Sequence, residues 1–115
     1  MKKLTLLFLL SISLYSCKDK EEDSPSPDSV CNTSNVTYSN TVKSIISNNC
    51  IVCHGGAPMN LGDIATLQGV ANSGLLYKVI THAEGVPAMP KGKAKLSDCD
   101  IAKIKAWIDA GAQNN

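Results

Sequence analysis

The pentapeptide Cys50-Ile51-Val52-Cys53-His54 constrains this chain more than any other segment of it. Two thiols at this spacing can each add across a vinyl group of one haem, while the next imidazole reaches the iron from the same face. A redox dithiol would be expected within a βαβ pattern, and a structural zinc needs a second ligand pair at close spacing; the sequence has neither. The motif predicts one covalent haem c, held by Cys50 and Cys53, with His54 as the proximal iron ligand.

The first sixteen residues have the pattern of an export signal. Lys2 and Lys3 give a positive start, and the apolar stretch 4–14 is too short to span a bilayer as a permanent helix. Cys17 follows at once, in a sequence similar to a bacterial lipobox, whose cysteine becomes the first mature residue and is acylated. The alternative is an ordinary signal peptide with an incidental cysteine. Both interpretations predict export, and the first predicts a lipid anchor at Cys17.

The segment after Cys17 is charged and contains Pro25 and Pro27, as is typical of a flexible tether. Acyl chains would hold the protein at a membrane, because each buried methylene contributes about 0.8 kcal/mol. Residues 18–23 resemble the acidic signal that sends some lipoproteins to the cell surface, and the resemblance implies a location in the bacterial envelope, at the periplasmic or cell-surface face of the outer membrane. The predicted domains are a lipoprotein signal peptide over 1–16, a lipidated tether over 17–30 and a monohaem domain over 31–115.

The domain that remains is small and poor in aromatic residues. After the leader only Tyr38, Tyr77 and Trp107 are left, and a covalent porphyrin would supply the apolar bulk that so small a core lacks. The chain without its leader has nine lysines, no arginine and ten acidic residues, which gives it a formal charge of −1. Nucleic-acid binding calls for a basic surface, so we expect no nucleic-acid partner. We expect the domain to be monomeric.

Two cysteines, Cys31 and Cys99, remain once lipid and haem are assigned. In an oxidising compartment such a pair most often forms a disulfide; two separate buried thiols are the alternative. Closing a loop of about 70 residues contributes about 4 kcal/mol in the chain-entropy model. This bond would tie the chain just ahead of the first helix to the start of the last.

Apolar periodicity predicts helices, and no strand-like alternation of any length occurs. We therefore expect an all-α domain of three to four short helices and loops around the haem. The last helix should pack on the helix before CxxCH. The expected elements are a first helix over 38–48 capped by Thr37 or Ser39, a turn containing Ile64 and Leu67 capped by Asp63, a middle helix from Leu75 to near His82 or Glu84, and a last helix from Ser97 to Gly111.

The sixth iron position has three candidate ligands. Met59 lies only five residues after His54, so its chain would have to round the haem edge almost fully extended. Met89 lies on a loop that its flanking prolines make stiff. His82 competes because imidazole is a strong iron ligand. We favour Met89 and keep His82 as the alternative; otherwise His82 is expected to hydrogen-bond a backbone group or a propionate. A thioether ligand favours Fe(II) and would give a mid- to high-potential haem.

Three segments carry a resemblance to a known family: His54-Gly55-Gly56, Ala88-Met89-Pro90 and residues 96–112. With CxxCH they resemble the small monohaem cytochromes c of the class I type, in particular the haem domains of Bacteroidetes lipoproteins. The resemblance implies a class I cytochrome c fold, thioether bonds at Cys50 and Cys53, and iron ligation by His54 and Met89. The first helix has no aromatic residue after Tyr38, which leaves open whether Trp107 packs on an aromatic or on aliphatic side chains.

These features together predict a protein that carries one electron between protein redox partners and is not an enzyme; only a peroxidase-like side activity is left open. One alternative is a haem-based sensor in which Met89 dissociates to admit a diatomic ligand or peroxide. Another is a structural role in a larger complex. Lys91, Lys93 and Lys95 follow the methionine loop. They either steer an acidic partner or simply make the loop soluble.

Overall fold

The computed structural model describes residues 31–115. The predicted signal peptide, the tether and Cys17 lie outside the described residues. No strand occurs within 31–115, and the all-α prediction is confirmed. In chain order, the elements are a π-helical turn over Tyr38–Val42, α1 over Lys43–Asn49, α2 over Ile51–His54, α3 over Ile64–Asn72, α4 over Leu75–Ile80 and α5 over Asp98–Asp109.

The first helix begins at a reciprocal cap. The side chain of Thr37 accepts a hydrogen bond from the Asn40 amide, and the Asn40 side chain accepts one from the Thr37 amide. Each satisfies a backbone donor that the first turn would leave free. The π-helical turn continues into α1 without a break, and it buries Val42 while α1 buries Ile46. Of the two predicted caps, Thr37 is the one used.

The last helix packs against the first, as the sequence predicted. Trp107 is 1% exposed, and its ring lies 6.2 Å from that of Tyr38, tilted by 35°. Its indole nitrogen donates a hydrogen bond to the backbone carbonyl of Gln113. The sequence left open whether Trp107 packs on an aromatic side chain. It does, and its partner is Tyr38, the first residue of the π-helical turn.

Helix α5 begins where the sequence placed it. The Ser97 side chain accepts a hydrogen bond from the Asp100 amide, and two acidic residues lie in the first turn, where they favour the positive helix end. After the helix, Gly111 takes a φ of 92°, which glycine adopts without steric cost. Cys99 in the first turn is joined to Cys31 by a disulfide bond.

The segment between CxxCH and the middle helix is more helical than predicted. Where a turn was expected, α3 runs over nine residues, with Asp63 as its cap through the Thr66 amide. Gly74, with a φ of 77°, then separates α3 from α4. The middle helix ends at Ile80, slightly earlier than expected. The Thr81 hydroxyl donates to the Tyr77 carbonyl there.

Buried apolar side chains from all the longer elements form one core, which includes Val42, Leu67, Ile80, Ile104 and Trp107. Within residues 31–115, no helix is both long enough and apolar enough to cross a membrane.

Candidate haem-binding site

A single helical turn shapes the CxxCH motif. The Cys50 amide donates to the Ile46 carbonyl at the end of α1, and the Cys53 and His54 amides both donate to the Cys50 carbonyl. Only Cys50 separates the end of α1 from the start of α2. This turn sets the two thiols and the imidazole in one fixed arrangement.

The residues after His54 close a short loop. The Leu61 amide donates to the His54 carbonyl at 2.8 Å, so the chain leaves His54 and returns to it seven residues later. Gly55 permits the departure, because a Cβ built there would lie 2.8 Å from the Ile51 carbonyl oxygen. The close approach explains the glycine after the histidine. The loop also keeps Met59 near the chain that carries the proximal histidine.

One cavity of about 460 Å³ lies beside this motif, and we call it the haem cavity. Cys50, Cys53 and His54 line it, together with Met59 and Met89. Its volume falls in the range of about 300–1,000 Å³ that is usual for cofactor and ligand sites. Much of the remaining lining is apolar and comes from helices and loops distant in sequence: Leu61, Val70, Leu76, Val79, Ile80 and Leu96.

The two motif cysteines are free thiols in this cavity. Cys53 is exposed, whereas Cys50 is partly covered, and burial raises the pKa of the Cys50 thiol. Val52, between them, is 86% exposed although it lines the cavity. An apolar side chain so placed gains from any apolar surface laid against it. Both thiols and the apolar lining fit a covalently bound porphyrin.

Met89 reaches the cavity from the loop between α4 and α5. Its amide donates to the Val79 carbonyl in α4 at 2.9 Å, which fixes the loop against that helix. His82 belongs to the same region, but the residues that line the cavity do not include it. Its Nε2 atom lies 3.0 Å from the Met89 carbonyl oxygen. The structure thus brings Met89, and not His82, to the cavity that holds the CxxCH motif.

Polar groups occupy part of the cavity wall. Asn48, Asn49, Lys91 and Lys93 line it. Two ammonium groups and two amides are suitable partners for the two carboxylates of a haem. Lys95, in contrast, forms an exposed ion pair with Asp98 at 3.0 Å.

Sequence reasoning did not assign most of the lining to the site. Leu61 and Leu96 are buried leucines in segments without a helical pattern. Each of these leucines is an apolar residue in a loop that is otherwise rich in Gly, Lys and Asp. That contrast was the available signal that they are buried. Val70, on α3, was missed because α3 itself was predicted only as a turn.

Comparison with known proteins agrees with this geometry. The model of the family described as cytochrome c oxidase, cbb3-type, subunit III, matches residues 39–108, which are 70 of the 115 residues. The match includes every residue that lines the haem cavity. No curated protein and no solved structure matches the chain. The chain therefore belongs to this cytochrome c family, as a small monohaem c-type cytochrome with covalently bound haem c.

Proposed function

We propose that this cytochrome is a one-electron carrier whose iron is ligated by His54 and Met89. Electron transfer by haem follows from the family; the ligand pair is our inference. One observation carries it: the proximal histidine, both haem cysteines and Met89 line one apolar cavity. When bound, the haem supplies an iron that gains and loses one electron reversibly. A methionine in the sixth position closes the coordination sphere, and this favours electron transfer over chemistry on an added ligand.

The chain's own residues prepare the site for that role. Cys50 and Cys53 would fix the porphyrin covalently, and the α2 turn would hold His54 at a constant orientation. Leu76 and Ile80, both 2% exposed, give the cavity part of its apolar lining. A preorganised site changes little when the charge of its cofactor changes, which favours fast electron transfer.

Met89 is a better distal ligand than either alternative. Met59 belongs to the loop that leaves and returns to His54, which keeps it on the proximal part of the chain. The His82 Nε2 atom is engaged by the Met89 carbonyl. Met89 itself has backbone support from Val79 and a side chain that lines the cavity. These contacts support a thioether ligand from the α4–α5 loop.

Absorption spectra of the haem-loaded full chain test the ligand pair. We expect a weak thioether-to-iron charge-transfer band at the red end of the oxidised spectrum. Met89→Ala should abolish the band, and the matched variant Met59→Ala should retain it. Loss of the band in Met59→Ala alone would transfer the ligand role to Met59. A bis-imidazole spectrum unchanged by Met89→Ala would assign the role to His82.

We further propose that the protein is exported and anchored in the bacterial envelope through a lipid on Cys17. The basic and apolar start of the chain and the lipobox-like sequence that ends at Cys17 support this. The chain would divide into a signal peptide over 1–16, a tether over 17–30 and a haem domain over 31–115. The location would be the periplasmic or the cell-surface face of the outer membrane.

Metabolic labelling with a clickable fatty acid tests the anchor. The wild-type protein should carry the label and fractionate with membranes. Cys17→Ser should lose the label. A label that survives this substitution would reject the anchor, and protease access to intact cells would separate the two faces.

The partners of a cytochrome of this family are redox proteins, and we propose that the haem domain meets them as a monomer. Lys91 and Lys93 line the cavity, and any positive charge that the haem carboxylates leave unpaired would lie at the edge of a bound haem. That charge would favour an acidic surface on the partner. Light scattering of the haem-loaded chain should give one copy per particle. A concentration-independent dimer would contradict the monomer proposal.

A further inference from the structure

His82 takes an unusual backbone conformation directly after α4. Its φ is 56°, in the left-handed region that residues with a Cβ rarely adopt. Glycine is the common residue at this position after a helix, because it has no steric penalty there. The chain nevertheless carries a histidine at this turn. The turn does not require an imidazole, so we look to the contacts of the ring.

The imidazole makes one contact of consequence. Its Nε2 atom lies 3.0 Å from the carbonyl oxygen of Met89. A carbonyl oxygen has no proton to give, so Nε2 carries the hydrogen and donates it. The left-handed backbone of His82 directs the ring back to the loop seven residues later. An Nε2 that donates to this carbonyl is not available as an iron ligand.

Met89 is thereby held at both of its peptide groups. Its amide donates to the Val79 carbonyl at 2.9 Å, and its carbonyl accepts from His82. Val79 lies in α4, and His82 lies two residues after the end of that helix. Proline on the following position removes a further backbone donor and restricts the chain. Only the side-chain torsions of Met89 stay free to adjust its sulfur in the haem cavity.

We propose that His82 is a positioning residue for the distal ligand. Its hydrogen bond holds the Met89 backbone against the end of α4, so that the thioether stays at the sixth iron position. This inference rests on the proposed ligation by Met89. It gives His82 a role through Met89 and without contact with the iron.

Three forms of the haem-loaded full chain test this: the wild type, His82→Gly and His82→Gln. Glycine removes the hydrogen bond and suits the left-handed turn, so the end of α4 is preserved. Glutamine has an amide nitrogen at about the reach of Nε2 and restores a donor, and like histidine it carries a Cβ in the left-handed turn. The readout is the thioether-to-iron charge-transfer band during a urea titration, with far-ultraviolet circular dichroism recorded in parallel.

We expect His82→Gly to raise the equilibrium constant for methionine dissociation roughly two- to tenfold, the range for loss of one hydrogen bond. The band should disappear at lower urea relative to the helical transition of the same variant, and His82→Gln should recover most of the difference. An identical band titration in wild type and His82→Gly would overturn the positioning role and leave His54/Met89 ligation intact. A wild-type protein without the band would overturn the ligation itself and this inference with it.

Discussion

Two regions of this cytochrome are stabilised in different ways. Where the first and last helices meet, the chain completes its own core: Ile104 is 0% exposed, and Trp107 packs beside Tyr38. Around the haem cavity, Val52 is 86% exposed, and α2 contributes no buried residue. A disulfide reinforces the first region, whereas the second is lined by free thiols and apolar groups.

The difference separates what the chain folds by itself from what the cofactor completes. Large side chains packed on one another need no further partner. A cavity lined by leucine, isoleucine and valine gains stability when an apolar body fills it. We therefore expect the haem to stabilise α2 and the loop that carries Met89 more than it stabilises α5.

Removal of the haem attachment should have the largest effect. In the double variant Cys50→Ser/Cys53→Ser no thioether can form. The free energy of unfolding should fall by more than the ~3–5 kcal/mol typical of a deleted buried aromatic side chain. Hydrogen exchange followed by mass spectrometry should show the loss mainly between residues 51 and 96. An equal loss of protection in α5 would contradict the division into two regions.

Trp107→Ala should damage the other region. The substitution deletes the largest buried side chain, so we expect a loss of ~3–5 kcal/mol in the free energy of unfolding by urea. Trp107→Phe is the matched control and should lose less, because it keeps a ring beside Tyr38 and gives up the hydrogen bond to Gln113. The charge-transfer band of the folded protein should be unchanged in both variants. A band lost before unfolding would show that the two regions are coupled.

Loss of the disulfide should have an intermediate effect. Cys31→Ser/Cys99→Ser opens a loop closed across a sequence separation of 68 residues. We expect a decrease of about 2–4 kcal/mol in the free energy of unfolding. Wild type treated with a reductant should match the variant, and the variant should not respond to the reductant. A wild type insensitive to reduction would contradict a stabilising bond.

Acid should have the smallest effect, at the start of α3. Hydrogen bonds from the amide and the hydroxyl of Thr66 lower the pKa of the Asp63 carboxyl. Because the pKa of Asp63 is lower in the folded state than in the unfolded state, the cap stabilises the protein at pH values above the ordinary pKa of Asp. The contribution disappears as the pH falls through the folded pKa. Asp63→Asn should flatten this part of the unfolding free energy measured against pH; an unchanged profile would exclude Asp63 as its source.

The sequence predicted the features that depend on neighbours along the chain. The CxxCH turn and the caps at Thr37, Asp63 and Ser97 are local, and local hydrogen bonds specify them. The length of α3 was not predicted, because Gly69 and Thr66 weaken its helical pattern. Tertiary packing on the core through Leu67 and Ala71 supplies what the propensity lacks.

The contact between His82 and Met89 shows more clearly what the sequence could not predict. Sequence reasoning expected either an iron ligand or a hydrogen bond to a backbone group or propionate. Which carbonyl the imidazole reaches depends on the left-handed conformation of His82 and on where α4 ends. Both are set by packing across the fold, and no local pattern encodes them.

A potentiometric titration of the haem-loaded chain under argon and under carbon monoxide tests the central claim, a closed His54/Met89 site that transfers one electron. We predict a reversible one-electron curve with the same midpoint potential under both gases. A ligand that binds the reduced iron would raise the midpoint by about 59 mV for each tenfold of binding. A midpoint that rises under carbon monoxide would show that Met89 leaves the iron at equilibrium, and would contradict the carrier in favour of a ligand-binding protein.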